Sequence, residues 1–474
     1  MKTRIEQDVI GKVHVPIDAY YGAFTVRANQ NFQLSGITAP PEFRKALGII
    51  KKSAAITNAE LGELRPDLAK AMIKAADEFI EGKFDHEFTL DVFQAGAGTP
   101  FNMNANEIIA NRANEILGMK KGTYDPITPN NHVNWAQSSN DVIPTAIRIA
   151  ALFKLQKLLP QVEKLSKAFF QKAKEFKDIV KVGRTHLEDA VPITLGQEFE
   201  AYGSALERCT KHIKTSFDTL LELGIGGTAL GTGITSHPKY RRQMVKNLSR
   251  LTGFQFKPTQ FPMELTHGMN AFAIASGSLK LLANDLIRIA NDFKLLNSGP
   301  LAGISEITLP DVEPGSSIMP GKINPSIAEA MTMICLQIFG NDTVINLATQ
   351  AGQLELNVMT PLIMHSLMSS MNLLENGCKM FRTDCVEGVK ANEERCRQLL
   401  EKSLCLATGL SPYLGYKKTS ELVKEATLKK QSLKNTILEK KLMTAAELNT
   451  ICSAKNLTRP RLTDKKLQQR IQGM

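Results

Sequence analysis

The stretch LKLLANDLIRIANDF (Leu279–Phe293) decides the fold. Leu279, Leu282, Leu286, Ile289 and Phe293 recur at intervals of 3, 4, 3 and 4, which lays one apolar stripe along an α-helix. Four other stretches repeat the pattern. Leu155, Leu158, Val162, Leu165 and Phe169 form one stripe, and Tyr202, Leu206, Cys209 and Ile213 another. Ile327, Met331, Ile334, Ile338, Asn341 and Ile345 make a fourth, and Leu367, Met371, Leu374 and Cys378 a fifth. The spacing predicts helices near 141–177, 193–222, 262–297, 325–350 and 352–378. All exceed the usual three turns, and long striped helices pack as an elongated bundle. Leu281 and Ile287 flank the third stripe. Apolar residues on a second side point to burial against other subunits, hence a homo-oligomer.

The fold class expected is therefore all-α, with three segments. Residues 1–140 hold shorter helical pieces broken by Gly and Pro, 141–395 hold the long bundle, and 396–474 are short, polar and helical. No internal repeat or low-complexity tract interrupts them.

Composition excludes several classes of function. At 474 residues, 43% hydrophobic and 22% charged, the chain has enough apolar residues for a large core. Its longest apolar runs, such as VMTPLIM, are far too short to span a bilayer. The N-terminus MKTRIEQDVIG has no apolar stretch behind its positive charge, so no secretory signal is expected. Seven scattered Cys without CxxC spacing argue against disulfides or a zinc site and fit a reducing cytoplasm. The net charge is +11 with a single Trp. No basic stretch is interleaved with aromatics, so nucleic acid is not an expected partner. A basic surface does attract small anions.

Four stretches interrupt the stripes with small polar residues: GAGTPFNMNANE (Gly96–Glu107), NNHVNWAQSSND (Asn130–Asp141), GRTHLEDAVP (Gly183–Pro192) and PGSSIMPGKINPSIAEA (Pro314–Ala330). Each has a local explanation. Asn324 before Pro325 reads as a helix N-cap, Ser139 or Asn140 as the cap of the first long helix, and Thr185 as the cap of a short turn. Four such sites together are harder to assign to capping. All supply the hydroxyl, amide, imidazole or ammonium donors that hold carboxylates.

Helix length adds a constraint. About 37 residues of helix span roughly 55 Å, with Ser138–Asn140 at the start and Thr185–His186 beyond the end. Residues 178–184 return at most about 25 Å. A site that uses both clusters must draw them from different subunits.

GSSIMPGKINP (Gly315–Pro325) is similar at every fixed position to GSSxMPxKxNP, the signature of the aspartase/fumarase superfamily. The resemblance runs from DAYYGAFTVRANQNF (Asp18–Phe32) through LGQEF (Leu195–Phe199) and GTALGTG (Gly227–Gly233) to GQLELNVMTPLI (Gly352–Ile363). It implies three helical domains, a central five-helix bundle and a homotetramer with a twenty-helix core, whose active sites are shared between subunits. It implies no cofactor and no metal. The implied reaction on a small dicarboxylate is reversible anti addition of ammonia or water to fumarate. By match, Ser316 resembles the general base, and Lys322 and Asn324 the carboxylate binders of the same loop. Thr99, Ser138, Ser139, Asn140, Thr185 and His186 resemble the remaining contacts. Ser317 joins the binders, and His186 is the second candidate base.

The residue types suit that chemistry. Removing a proton beside a carboxylate yields a doubly charged aci-carboxylate, which preorganised donors stabilise. A serine acts as a base only if its oxyanion is held, and backbone N–H groups of a Gly-rich loop are suited to hold it. Such a loop also opens for substrate and closes to exclude water. Ala97, Val191 and GNDTVINLATQAGQ resemble the aspartase branch, whereas Ser139 and LGIGGTALGTG resemble the fumarase branch. Elimination of ammonia from L-aspartate is the expectation, with hydration of fumarate as the alternative.

Overall fold

The computed structural model describes residues 2–473. Five long helices dominate it: Ser139–Glu175, Leu195–Phe217, Asn270–Leu296, Ser326–Thr349 and Thr360–Phe381. Among the described residues the strands form only two-stranded sheets, and the fold is all-α.

The chain divides into two compact units. One comprises the N-terminal stretch through Pro160, Cys209–Ala283 and Leu336–Glu375; the other comprises Gln161–Arg208, Asn284–Cys335 and the chain from Asn376. All five long helices contribute residues to both.

In the second unit the stripe residues meet as predicted. Phe293 packs against Phe199 and Phe381, each with ring centroids 5.5 Å away, and against Phe169 at 6.0 Å. Fully burying one such ring contributes about 1.5–3 kcal/mol. In the first unit Leu158, Leu279, Leu282, Ile338, Leu367 and Met371 are buried in the same way. Four of the five stripes lie on buried faces along their whole length.

The fourth stripe is rotated. Ile327 and Ile334 are only half-buried. The buried line runs through Ala328, Met331, Cys335, Ile338, Asp342 and Ile345. Small residues at 328 and 335 permit close approach. On the facing helix Gly377 leaves room for Ile334, since a Cβ there would sit 2.9 Å from Ile334 Cδ1.

Two boundaries differ from expectation. The third helix is split, because Pro262–His267 ends at Gly268 before Asn270 starts the long segment. The fifth begins at Thr360, not near 352. Buried Asn357 donates from Nδ2 to the carbonyls of Ala348 (2.9 Å) and Thr349 (3.0 Å) and accepts from Met359 N (2.9 Å). These bonds hold a turn where the stripe pattern predicts helix.

Short strands also appear where none was expected. Thr3–Gln7 pairs with Lys12–Pro16, and Val180–Thr185 with Glu188–Thr194. The C-terminal segment folds as short helices around Leu410, Tyr413, Leu433 and Ile437.

Candidate active site

The signature loop lies in the second unit and is closed on itself. Gly315 N donates to Lys322 O (2.8 Å), and Asn324 Nδ2 donates to Gly315 O (2.6 Å). A Cβ on Gly315 would lie 2.6 Å from both Asn324 N and Lys322 O, so only glycine permits the closure. Asn324 is thus a staple across the loop. The expectation that it caps the following helix is corrected, because that helix begins at Ser326.

Ser316 Oγ accepts from the backbone N–H of Met319 (2.9 Å) and of Ile318 (3.2 Å). Two N–H groups aimed at one hydroxyl oxygen stabilise negative charge on it. Ser317 and Lys322 are exposed on the same loop. Ser316, Met319, Lys322 and the acidic Asp311 and Glu313 line an open cavity of ≈ 540 Å³.

Thr185 and His186 sit at the tip of the hairpin formed by Val180–Thr185 and Glu188–Thr194. His186 (φ 57°) and Leu187 (φ 63°) make a left-handed two-residue turn, the type that matches strand twist. Both candidate side chains are exposed. The hairpin is fixed below the tip by a buried ion cluster. Arg184 donates from both terminal nitrogens to the two oxygens of Glu306 at 3.0 Å each, and Lys181 Nζ lies 3.1 Å from Glu306 Oε2. Glu306 is 0% exposed. Its backbone is tied to Leu296 O (2.8 Å) and Asn392 N (2.9 Å).

Glu306→Gln leaves Arg184 facing a neutral amide and Lys181 with the Glu198 carboxylate (3.3 Å) as its remaining partner. Breaking a buried pair by removing one partner costs about 3–5 kcal/mol. We expect a loss of that size in urea denaturation. A change below about 1 kcal/mol would show that the cluster behaves like a surface pair.

Thr99 and Ser138–Asn140 lie in the first unit. Ser138 caps the Ser139–Glu175 helix: its Oγ accepts from Asn140 N (3.2 Å), and its own N–H donates to Asp141 Oδ1 (2.9 Å). The two bonds satisfy the N–H groups of Ser138 and Asn140 at the helix start, so the cap is Ser138 and not the expected Ser139 or Asn140. The Ser138 hydroxyl is an acceptor there, which leaves its proton free to donate. Asp141 Oδ2 also accepts from Gly226 N and Thr228 N at 2.9 Å each, and Asn140 Nδ2 donates to Ala229 O (2.9 Å). The GTALGTG segment is thereby tied to the helix start. Burial pushes the Asp141 carboxyl up to about 6, against the pull of those backbone donors and of Lys51.

Thr99 opens the helix Thr99–Ile116 behind left-handed Gly98 (φ 68°). It lines a cavity of ≈ 640 Å³ with Arg27, Met103 and Asn130. The preceding segment is pinned by Ala97 N donating to Val358 O (2.8 Å). One turn on, Asn102 Nδ2 donates to Ser139 Oγ (3.1 Å), and Lys51 Nζ donates to Asn102 Oδ1 (2.7 Å).

The ten candidates thus fall into two groups. Ser316, Ser317, Lys322, Asn324, Thr185 and His186 are placed by the second unit, and Thr99, Ser138, Ser139 and Asn140 by the first. Sequence reasoning missed Lys51, Asp141, Arg184 and Glu306. A signal existed for two of them. SSND has capping-box spacing, and Lys51 stands one helical turn from Leu47 and Ala55 on an apolar face. Among the described residues, no three His, Cys, Asp or Glu side chains gather as metal ligands.

A family model described as Lyase matches residues 11–340, and one described as Fumarase C C-terminus matches 406–459. The chain belongs to the aspartase/fumarase superfamily. Members with curated names are similar across nearly the whole length. An aspartate ammonia-lyase of Bacillus subtilis (strain 168) is 45% identical over 464 residues, 98% of each chain. A class II fumarate hydratase of Neisseria meningitidis is 44% identical over 462 residues, 97% of this chain and 100% of the relative.

Solved structures of the superfamily match the fold. A fumarate lyase:delta crystallin from Brucella melitensis bound to cobalt superposes with TM-score 0.94 at 42% identity, covering 97% of this chain and 100% of that one. A class II fumarase from Schistosoma mansoni gives 0.93 at 37% identity, with the same coverage. This member of the superfamily is a carbon–nitrogen or carbon–oxygen lyase. Total identity does not separate the two, since named aspartases and fumarases stand equally near.

Proposed function

We propose that the chain is an aspartate ammonia-lyase that converts L-aspartate to fumarate and ammonia. The observation that carries the chemistry is the Ser316 hydroxyl, held by two backbone N–H groups on the loop that also presents Lys322. Ser316, as the oxyanion held by Ile318 N and Met319 N, takes the C3 proton and becomes the neutral hydroxyl, and the adjoining carboxylate becomes an aci-carboxylate. The C2–N bond breaks with its electron pair leaving on nitrogen, and the double bond of fumarate forms. Hydroxyls of Thr99, Ser138 and Thr185 stabilise the intermediate. Lys322 and Asn324 hold the other carboxylate. Ser139, Asn140, Ser317 and His186 complete the pocket.

Amine elimination is favoured over hydration by the residues that resemble the aspartase branch: Ala97, Val191 and the segment 340–353. Fumarate hydratase is the second reading, supported by relatives of that name at 44% identity. Following fumarate formation from L-aspartate and from L-malate separates them. The proposal expects the higher kcat/KM with L-aspartate, and a preference for L-malate overturns it.

The working form is a homotetramer in the cytoplasm. The Ser139–Glu175 helix has 37 residues, so its two ends lie roughly 55 Å apart, too far for one short return segment to span. Exposed apolar side chains on the long helices, Leu281 at 49% and Met333 at 68%, supply surface for other subunits.

Thr185→Val tests the donors. Removing one hydroxyl from the intermediate slows turnover about 10²–10³-fold, by analogy with an oxyanion donor. Circular dichroism checks folding. A rate within about threefold of wild type would assign Thr185 to the turn alone.

A further inference from the structure

Lys51 lies on the Pro41–Glu60 helix and is 1% exposed. Its Nζ donates to Asn102 Oδ1 (2.7 Å), Gln137 Oε1 (2.9 Å) and Asn134 Oδ1 (3.1 Å). Each amide is oriented from its other side. Asn102 Nδ2 donates to Ser139 Oγ (3.1 Å), Gln137 Nε2 to Val133 O (3.0 Å) and Asn134 Nδ2 to Gln137 O (3.2 Å). All three groups facing the amine are therefore oxygens. Three ammonium protons match them, whereas a neutral amine would turn its lone pair toward a carbonyl.

Burial pushes the Lys51 ammonium down to about 7, while the Asp141 carboxylate pulls it up. Among the described residues Lys51 makes no ion pair. Asp141 answers three backbone N–H groups instead. A buried cation so placed is expensive in solvation and marks a functional region more often than chance. The neighbouring candidates Thr99 and Ser138–Asn140 are all neutral donors, and the network reaches Ser139 directly. In a low-dielectric interior, a charge set behind neutral donors acts on an anion bound in front of them.

We propose that Lys51 is a positioning residue whose ammonium orients Asn102, Asn134 and Gln137 behind the Ser138–Asn140 segment and lends positive charge to a carboxylate bound there. The inference rests on the dicarboxylate reading of the site. Calorimetry with succinate, a non-reacting dicarboxylate, and with its monoamide succinamate tests it. In Lys51→Met, succinate binding weakens about 10–100-fold, and the preference for succinate over the monoamide shrinks. A purely structural role would weaken both ligands equally, and that result overturns the proposal. Asn102→Asp keeps the lysine but pairs its charge, so the same loss of preference is expected; it decides the matter alone if the methionine variant does not fold. Unchanged preference in both variants also overturns the proposal. Wild-type protein that binds no succinate overturns the dicarboxylate reading together with this role, whereas failure in the variants alone leaves that reading standing.

Discussion

Ser316→Ala is expected to lower turnover about 10²–10⁴-fold, the range contributed by a positioned base, while binding of succinate persists. The expectation follows from the local geometry. The Ser316 oxygen accepts from Ile318 N and Met319 N, so it is held as a charge-bearing atom, and its loss is felt mainly where charge develops. Lys322→Ala is the comparison. It removes a charge-assisted contact made in both ground and transition states, worth roughly 1.5–3 kcal/mol, so binding weakens along with turnover. Calorimetric affinity beside steady-state kinetics separates the two. Equal loss of affinity in both variants would make Ser316 a binding or structural group, and His186 would become the first candidate for the base.

The second large effect is a recovery. Ser138→Ala and Lys322→Ala subunits are each inactive as homo-oligomers if both side chains serve every site. Mixed through unfolding and refolding, they should regain activity, because a site that takes the two residues from different subunits sometimes receives both intact. Random mixing of equal amounts restores about a quarter of such sites in a closed symmetric assembly. Native mass spectrometry confirms that hybrids form. Hybrids that stay at the activity of the parents would contradict a site shared between chains.

The helical scaffold was legible because its signal is periodic and local. Phe169, Tyr202 and Phe293 occupy the stripe positions that the spacing assigned to them, and all are buried. The fourth stripe was misassigned because Ile327 and Ile334 are more apolar than Ala328 and Cys335. Close helix approach favoured the smaller pair, which periodicity does not weigh. The hairpin below Thr185 escaped notice because its left-handed turn is His186–Leu187, without the Gly or Asn that marks such turns. Asn357 delays the start of a predicted helix through bonds to carbonyls 8 and 9 residues earlier, which no stripe encodes.

At the candidate site, the residue types were readable from four polar interruptions, and the signature motif assigned their roles by resemblance. Their supports were not readable. Arg184 meets Glu306 across 122 residues, and Lys51 meets Gln137 across 86. Such partners are set by tertiary packing, and a single sequence carries no trace of the pairing. The bond from Ser138 N to Asp141 Oδ1 is the exception, since its three-residue spacing is local.

The proposed reaction is addition and elimination of ammonia at a four-carbon dicarboxylate. Fumarate should be incubated with the protein, with and without ammonium, and the products resolved by proton NMR. L-Aspartate formed only when ammonium is present, with little malate in either mixture, is the predicted result. Malate formed at the same rate with or without ammonium, and no aspartate, would contradict it.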